Sequence, residues 1–289
     1  MIRTSLALLL ALTTVAAADL DDADLARRIR DLRQVDATAP LPPGAAGPVR
    51  YALLRHAFPF GTAIDGAGLG LTRRKQDGTL REPLPEDDQR RYQDILRRHF
   101  TATVACNEMK WYTMEAEDGV AQDDPALGML AWCEANGLAM RGHCVYWGIE
   151  KYVQKWVAAL PDDQLEARLR QRLDHVTTLF KGRIAEWDLN NEMMHGDHYA
   201  RRLGWKNGAG YFRWAVAADP QVRWFVNDYD VLQSGQLKRA QGYVRHIRAM
   251  QADGARVDGV GDQAHFARPL PDNATLWAIL DELGSLGLP

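Results

Sequence analysis

Residues 183 to 199, RIAEWDLNNEMMHGDHY, hold the densest chemistry in the chain. Ala185, Trp187 and Leu189 alternate with polar positions, Ile184 stands ahead of them, and Asn190, Asn191 and Glu192 follow. Alternation of this kind reads as a strand, so Asn191 and Glu192 fall at its end. Other runs close in the same way. Cys106, Asn107 and Glu108 precede Lys110 and Trp111; His143 precedes Tyr146 and Trp147. Asn227, Asp228 and Tyr229 end a further run, and Gln263 and His265 the last. A carboxylic acid can deliver a proton and, once ionised, activate water. Amides, imidazoles and ammonium groups supply hydrogen bonds, and indole faces stack on C–H surfaces. Together they suit a sugar.

Each residue alone also has a plainer reading. Glu192 could be a rim ion-pair residue, and His143 a satisfied core histidine. His195, Asp197 and His198 invite a metal, but no third histidine or cysteine stands near them, and no metal or cofactor is expected. Asp228 reads as structural, bonding loop backbone.

The elements that must carry these residues alternate. Strands are expected over 56–64, 101–106, 138–147, 183–190, 222–228 and 257–266. Helices are expected over 86–100, 125–137, 162–180, 208–219, 235–254 and 273–287. The third helix is the clearest: Leu165, Leu169, Leu173, Val176 and Phe180 are spaced 4, 4, 3 and 4, an apolar stripe. Such alternation implies a parallel sheet, and both a doubly wound sheet and an α/β barrel fit. Gly66, Gly68 and Gly70 do not match a dinucleotide-binding turn, since their spacing is wrong and no helical pattern follows at once. In a barrel the working groups sit at the C-terminal strand ends, which is where the five polar clusters lie.

The 289 residues, 46% of them hydrophobic, suffice for one large core. A net charge of −3, from 35 basic and 38 acidic residues, argues against a nucleic-acid partner held through phosphates. Arg73 to Lys75 read as a solvated loop. The N-terminus has Arg3, an apolar run from Leu6 and the small residues Ala16 to Ala18. That is the layout of a secretory signal peptide over residues 1–18, and the run is too short to span a membrane. A secreted protein, extracellular or periplasmic, is expected. Residues 19–50, rich in Asp, Ala, Pro and Gly, read as an extension or linker, and residues 51–289 as the catalytic fold. Cys106, Cys133 and Cys144 are an odd count, so at least one is free; a Cys106–Cys144 bridge is compatible with the sequence.

The ordered segments NEMKW, RGHCVYW, WDLNNEMMHG, VNDYD and GDQAHF resemble glycoside hydrolase family 10, the endo-β-1,4-xylanases, from about Phe58 to the last residue. NNEMMHGDHYARRLG is similar to the plant-type branch and its bacterial relatives. The resemblance implies a (β/α)8 TIM barrel, α/β in class, that cleaves xylan with retention, needs no cofactor and works as a monomer when full length. It implies that Glu192 is the general acid/base and that Asn191 holds the sugar 2-hydroxyl. Asn107, Lys110, His143 and Trp147 would line the glycone side, and Gln263 and His265 would contact the nucleophile and the reacting sugar. Retaining cleavage needs an acid that keeps its proton until the leaving oxygen takes it, then a base for water; a like-charge neighbour or burial achieves this.

Two departures from the family pattern stand out. Cys106 occupies the place of a sugar-binding glutamate, and a thiol is a poor acceptor, so weaker or altered glycone binding is expected. The segment WGIEKYVQKW is also longer than the commoner form. Second, the family's nucleophilic glutamate would follow Pro289, so the barrel is expected to be incomplete, with about six of its eight strand–helix units. On that expectation the 289-residue chain is poorly folded and inactive alone; xylan turnover that is lost in Glu192→Ala would overturn it. A β-glycanase of the same fold, or a non-catalytic carbohydrate-binding relative, are the other readings.

Overall fold

The computed structural model describes residues 58–267 and 269–289, with scattered positions between 23 and 50. The expected leader at residues 1–18, most of the 19–50 extension and residues 51–57 lie outside the described residues.

Six strands alternate with six long helices. β1 (Gly61–Ile64) leads to α1 (Glu86–His99), and β2 (Ala102–Ala105) to α2 (Asp124–Ala135). β3 (Ala139–Trp147) leads to α3 (Asp162–Leu179), and β4 (Glu186–Asn191) to α4 (Ala209–Ala218). β5 (Arg223–Asp228) leads to α5 (Leu237–Ala252), and β6 (Gly259–Asp262) to α6 (Asn273–Gly284). The strands form one sheet in chain order, every neighbouring pair parallel. A doubly wound sheet would reverse its order at a switch point. This one never reverses, and it curls as six strands of a (β/α)8 wall.

Local chemistry explains the elements. Glu86, Asp87 and Asp88 open α1 and Arg97, Arg98 and His99 close it, each charge facing the favourable end of the helix dipole. α2 has a proline in its first turn and ends at Asn136 and Gly137, whose φ of 66° suits glycine. Asp272 caps α6 by accepting from Thr275 N. β4 and β5 are buried along nearly their whole length, as expected for parallel strands covered on both faces. Leu165, Leu169, Leu173 and Val176 turn the α3 stripe into this core.

Arg172 interrupts that stripe. It is 3% exposed, and no carboxylate pairs with it among the described residues. It donates instead to Met109 O at 2.7 Å and to Val145 O at 3.4 Å, and lies 3.2 Å from Met114 Sδ. Burial brings its guanidinium down to about 10. One side chain thus ties the loop after β2 to the end of β3.

Two expectations change, and one alternative the sequence left open is decided. β6 stops at Asp262, because Asp262 Oδ1 accepts from Ala264 N (2.7 Å) and Ala264 takes a φ of 48°. Such an Asx turn ends the extended run. Residues 73–75 are not a solvated loop. Arg73–Arg74 pairs antiparallel with Leu80–Arg81, and Arg73 is buried against Glu108 (3.2 Å). The three cysteines are all free, Cys133 and Cys144 buried, so Cys106 and Cys144 form no bridge.

Glycines admit large neighbours in the sheet. A Cβ on Gly142 would overlap the Trp187 indole, and one on Gly259 the Phe225 ring. Gly142→Ala is expected to destabilise the fold by roughly 2 kcal/mol through overpacking, read as a lower urea midpoint. An unchanged midpoint would show that Trp187 moves freely.

Candidate active site

The C-terminal rim of β2 to β6 gathers the polar residues. Glu192 follows β4 directly, and its φ of 62° puts a non-glycine residue in the left-handed region, an arrangement retained where the surroundings over-determine it. Its N–H donates to Asn227 O at 2.7 Å, and its carbonyl accepts from His195 N at 3.0 Å. The carboxylate is held from two sides: Trp147 Nε1 donates to Oε2 at 2.8 Å and Gln263 Nε2 to Oε1 at 2.9 Å. Both donors are neutral. They aim the group without setting a positive charge against it.

Asn191, 1% exposed, stands beside it. Its Oδ1 accepts from Asn227 Nδ2 (2.9 Å) and Gln263 Nε2 (3.2 Å). With the oxygen occupied twice, the NH2 remains to donate to a ligand. His143, on β3, contacts Asp188 Oδ2 through Nδ1 at 2.8 Å, which leaves Nε2 for the cleft. Asp188 also accepts from Arg141 at 2.6 Å. Burial alone would raise the Asp188 carboxyl, but the His143 hydrogen bond and the Arg141 charge outweigh it and the net shift is downward.

The aromatic wall is larger than the sequence suggested. Trp147 stacks on Tyr152 at 3.7 Å and 22°, and Tyr112 lies 6.3 Å from Trp147. Lys110, 9% exposed, places Nζ 4.3 Å from the Trp147 centroid. Turned so that its nitrogen donates to Tyr112 Oη (2.9 Å) and Cys106 O (3.1 Å), the Asn107 amide accepts from Arg73 Nη2 at 3.3 Å. Asn107, Lys110, His143, Trp147, Asn191, Glu192 and Gln263 thus line one continuous rim. His265 sits apart on an exposed turn. Tyr112 follows the NEMKW segment and was within reach of sequence reading. Tyr152 was not, because its stacking depends on how the loop after β3 folds back.

Glu108 does not face the cleft. Fully buried, it accepts from Gly66 N (2.9 Å), Arg73 Nε (3.2 Å) and Asn107 N (3.1 Å). Cys106 is half-buried; burial and the charges of Glu108 and Asp65 raise its thiol, keeping it protonated. His195, Asp197 and His198 take separate partners. His195 stacks on Tyr229 at 3.7 Å. Asp197 caps the helix His198–Arg202 and accepts from Asn190 and Tyr211. His198 meets Glu150 at 2.8 Å.

Asp228 is fully buried and accepts from Met194 N and Tyr229 N, both at 2.9 Å. It holds the loops after β4 and β5, as its structural reading required. Burial pushes its carboxyl up to about 6, against the two N–H donors and His195, with the Glu192 charge adding to the rise. In an unfolded chain a carboxyl of this kind ionises near about 3.9. Between these values the folded state holds a proton the unfolded state lacks, so this group stabilises the fold as pH falls through about 6. From pH 7 to pH 5 the protein should gain about 1 kcal/mol relative to Asp228→Asn, measured by urea denaturation at each pH. Equal changes in both proteins would exclude a buried titration.

Comparison with known proteins adds an independent line. The family model described as glycosyl hydrolase family 10 matches residues 72–289. An anti-sigma-I factor of Acetivibrio thermocellus is 35% identical over 241 residues, 83% of this chain and 29% of that protein. Endo-1,4-beta-xylanase 3 of Arabidopsis thaliana is 37% identical over 236 residues, 81% of this chain and 29% of that protein. Among solved structures, native xylanase10C from Cellvibrio japonicus superposes with a TM-score of 0.66 at 23% identity, covering 80% of this chain and 48% of that one. The GH10 structure from Paenibacillus barcinonensis gives 0.65 at 23%, covering 80% and 67%. At such identity the structural likeness speaks for the fold. The chain spans 29% of the length of these two curated relatives.

Proposed function

We propose that this chain, which belongs to glycosyl hydrolase family 10, carries the acid/base and glycone-binding half of a retaining endo-1,4-β-xylanase site. The observation that carries the proposal is the Glu192 carboxylate held between Trp147 Nε1 and Gln263 Nε2, with the Asn191 amide beside it. Glu192 protonates the leaving oxygen and later activates water. Asn191 donates to the 2-hydroxyl of the reacting sugar. Trp147, Lys110, Asn107 and His143 hold the sugars on the glycone side, and His265 approaches with substrate. Relatives named endo-1,4-beta-xylanase and a neighbouring structure described in complex with xylopentaose support a β-1,4-xylan substrate.

Retention also requires a second carboxylate about 5 Å from the first. Asp228, whose charge reaches Glu192, is committed to backbone N–H groups. We therefore place the nucleophile outside the described residues. As part of the same proposal, residues 1–18 are a removable leader, the protein is exported and it acts as a monomer. N-terminal sequencing of the exported protein should then begin near Asp19.

A second reading, of a carbohydrate-binding chain that does not hydrolyse, rests on Asp228, the carboxylate whose charge reaches Glu192, being spent on backbone N–H groups. Binding and turnover separate the two. The chain should bind xylotetraose in preference to cellotetraose, and Trp147→Ala should weaken that binding roughly tenfold. Where the second carboxylate is supplied, Glu192→Gln should cost roughly 10²–10⁴ in kcat while leaving binding intact. Turnover that survives Glu192→Gln would refute the assignment; binding with no turnover would favour the second reading. Cys106→Glu should tighten xylo-oligosaccharide binding several-fold, since an ionised acceptor makes the stronger hydrogen bond. No change would remove Cys106 from the glycone side.

A further inference from the structure

Residues 73–81 form a hairpin that the proposed reaction does not use. Its two legs are anchored on the loops after β2 and after β1. Arg73 is buried against Glu108 at 3.2 Å, and Arg81 Nε lies 3.6 Å from Asp65 Oδ2. Its tip is internally braced. Lys75 N donates to Thr79 O (2.7 Å) and Gly78 N to Lys75 O (2.9 Å). Asp77 Oδ1 accepts from both Thr79 N (3.0 Å) and Thr79 Oγ1 (2.6 Å). Gly78 supplies the φ of 84° that the turn needs. The tip also reaches across the molecule, where Gln76 Nε2 donates to Lys151 O at 2.5 Å.

Topology gives that last contact its meaning. β2 lies between β1 and β3 in the sheet. A segment that leaves β1, is anchored on the loop after β2 and touches the loop after β3 therefore crosses the end of β2. Asn107 and Lys110 stand there. The crossing is recorded at both ends: Arg73 Nη2 lies 3.3 Å from the Asn107 amide, and Lys151 adjoins Tyr152, which stacks on Trp147. The hairpin also leaves a cleft of about 600 Å3 between itself and residues 121–125, lined by Arg74, Leu80, Gln122 and Asp124 among others. The contacts that lead from Glu192 to Trp147 and on to Lys110 and Asn107 end at this crossing segment.

We propose that the 73–81 hairpin is a strap that bounds the sugar groove on the glycone side, so that the site grips only a short run of β-1,4-linked xylose units there and turns the rest of a long chain away from the surface. The strap is a specificity determinant for chain length. It acts sterically, with Gln76 fixing the tip against the loop after β3. The inference rests on the xylan reading above, and the experiment below separates the two.

The test is calorimetric binding of xylotriose, xylotetraose, xylopentaose and xylohexaose to the intact chain and to two variants. In one, residues 75–79 are replaced by an Asn-Gly turn, which fits the Arg74–Leu80 pairing as a two-residue hairpin. In the other, Gln76→Ala removes only the tip contact. The wild-type affinity should level off at a short oligomer. In the shortened variant it should keep rising, by roughly tenfold between the plateau length and xylohexaose, with xylotriose binding unchanged. Gln76→Ala, which leaves the fold intact, should show the same trend to a smaller degree. Identical length dependence in all three proteins overturns the strap while leaving the xylan reading in place. Failure of every protein to bind any oligomer overturns the xylan reading, and the strap with it.

Discussion

The site depends on one carboxylate being held by two neutral donors that arrive from different strands. Trp147 comes from the end of β3 and Gln263 from beyond β6, and they meet on Glu192 after β4. The Trp147 contact joins neighbouring strands, but the Gln263 contact spans two strand spacings and could not form without the sheet being curled, because a flat sheet keeps such ends too far apart. Curvature, register and the alternation of strand and helix converge on these two hydrogen bonds. Neutral donors matter chemically. A lysine or arginine in either place would set a full positive charge against the carboxylate.

Charged groups farther from the cleft serve the same placement from behind. Arg172 binds carbonyls of the loop after β2 and of β3, so the loop that carries Asn107 and Lys110 is tied to the Trp147 strand. Arg141 and Asp188 set which nitrogen of His143 faces outward. Asp228 gathers the backbone of the loops after β4 and β5. Arg172, Asp188 and Asp228 are buried and Arg141 partly so, and each spends its hydrogen-bonding capacity on backbone or on another side chain. The barrel wall is thereby stiff where the substrate is meant to be positioned.

Much of this was legible in the sequence, and the part that was not has a physical reason. All six strands and six helices appear where hydrophobic periodicity put them, since the apolar faces they bury repeat along the chain. Most of the site residues fall together because strand ends in a parallel barrel share one rim. Three features escaped. Arg73 sits in a polar, basic stretch, and nothing local says that Glu108, far along the chain, will bury it. Tyr152 stacks on Trp147 only because the loop after β3 turns back. His265 stands off the cluster because Ala264 adopts a left-handed turn. Long-range pairing and loop geometry are not carried by short-range patterns, so residues that depend on them stay hidden.

The left-handed backbone at Glu192 has a consequence for how this position tolerates change. A residue with a Cβ costs roughly 1–2 kcal/mol there, and glycine costs far less. The conformationally easiest occupant is thus the one that discards the acid. Variation guided by backbone strain alone would drift toward glycine at 192, at the cost of the carboxylate that Trp147 and Gln263 hold. The carboxylate persists there against the preference of its own backbone, and stability and chemistry pull in opposite directions at that single residue.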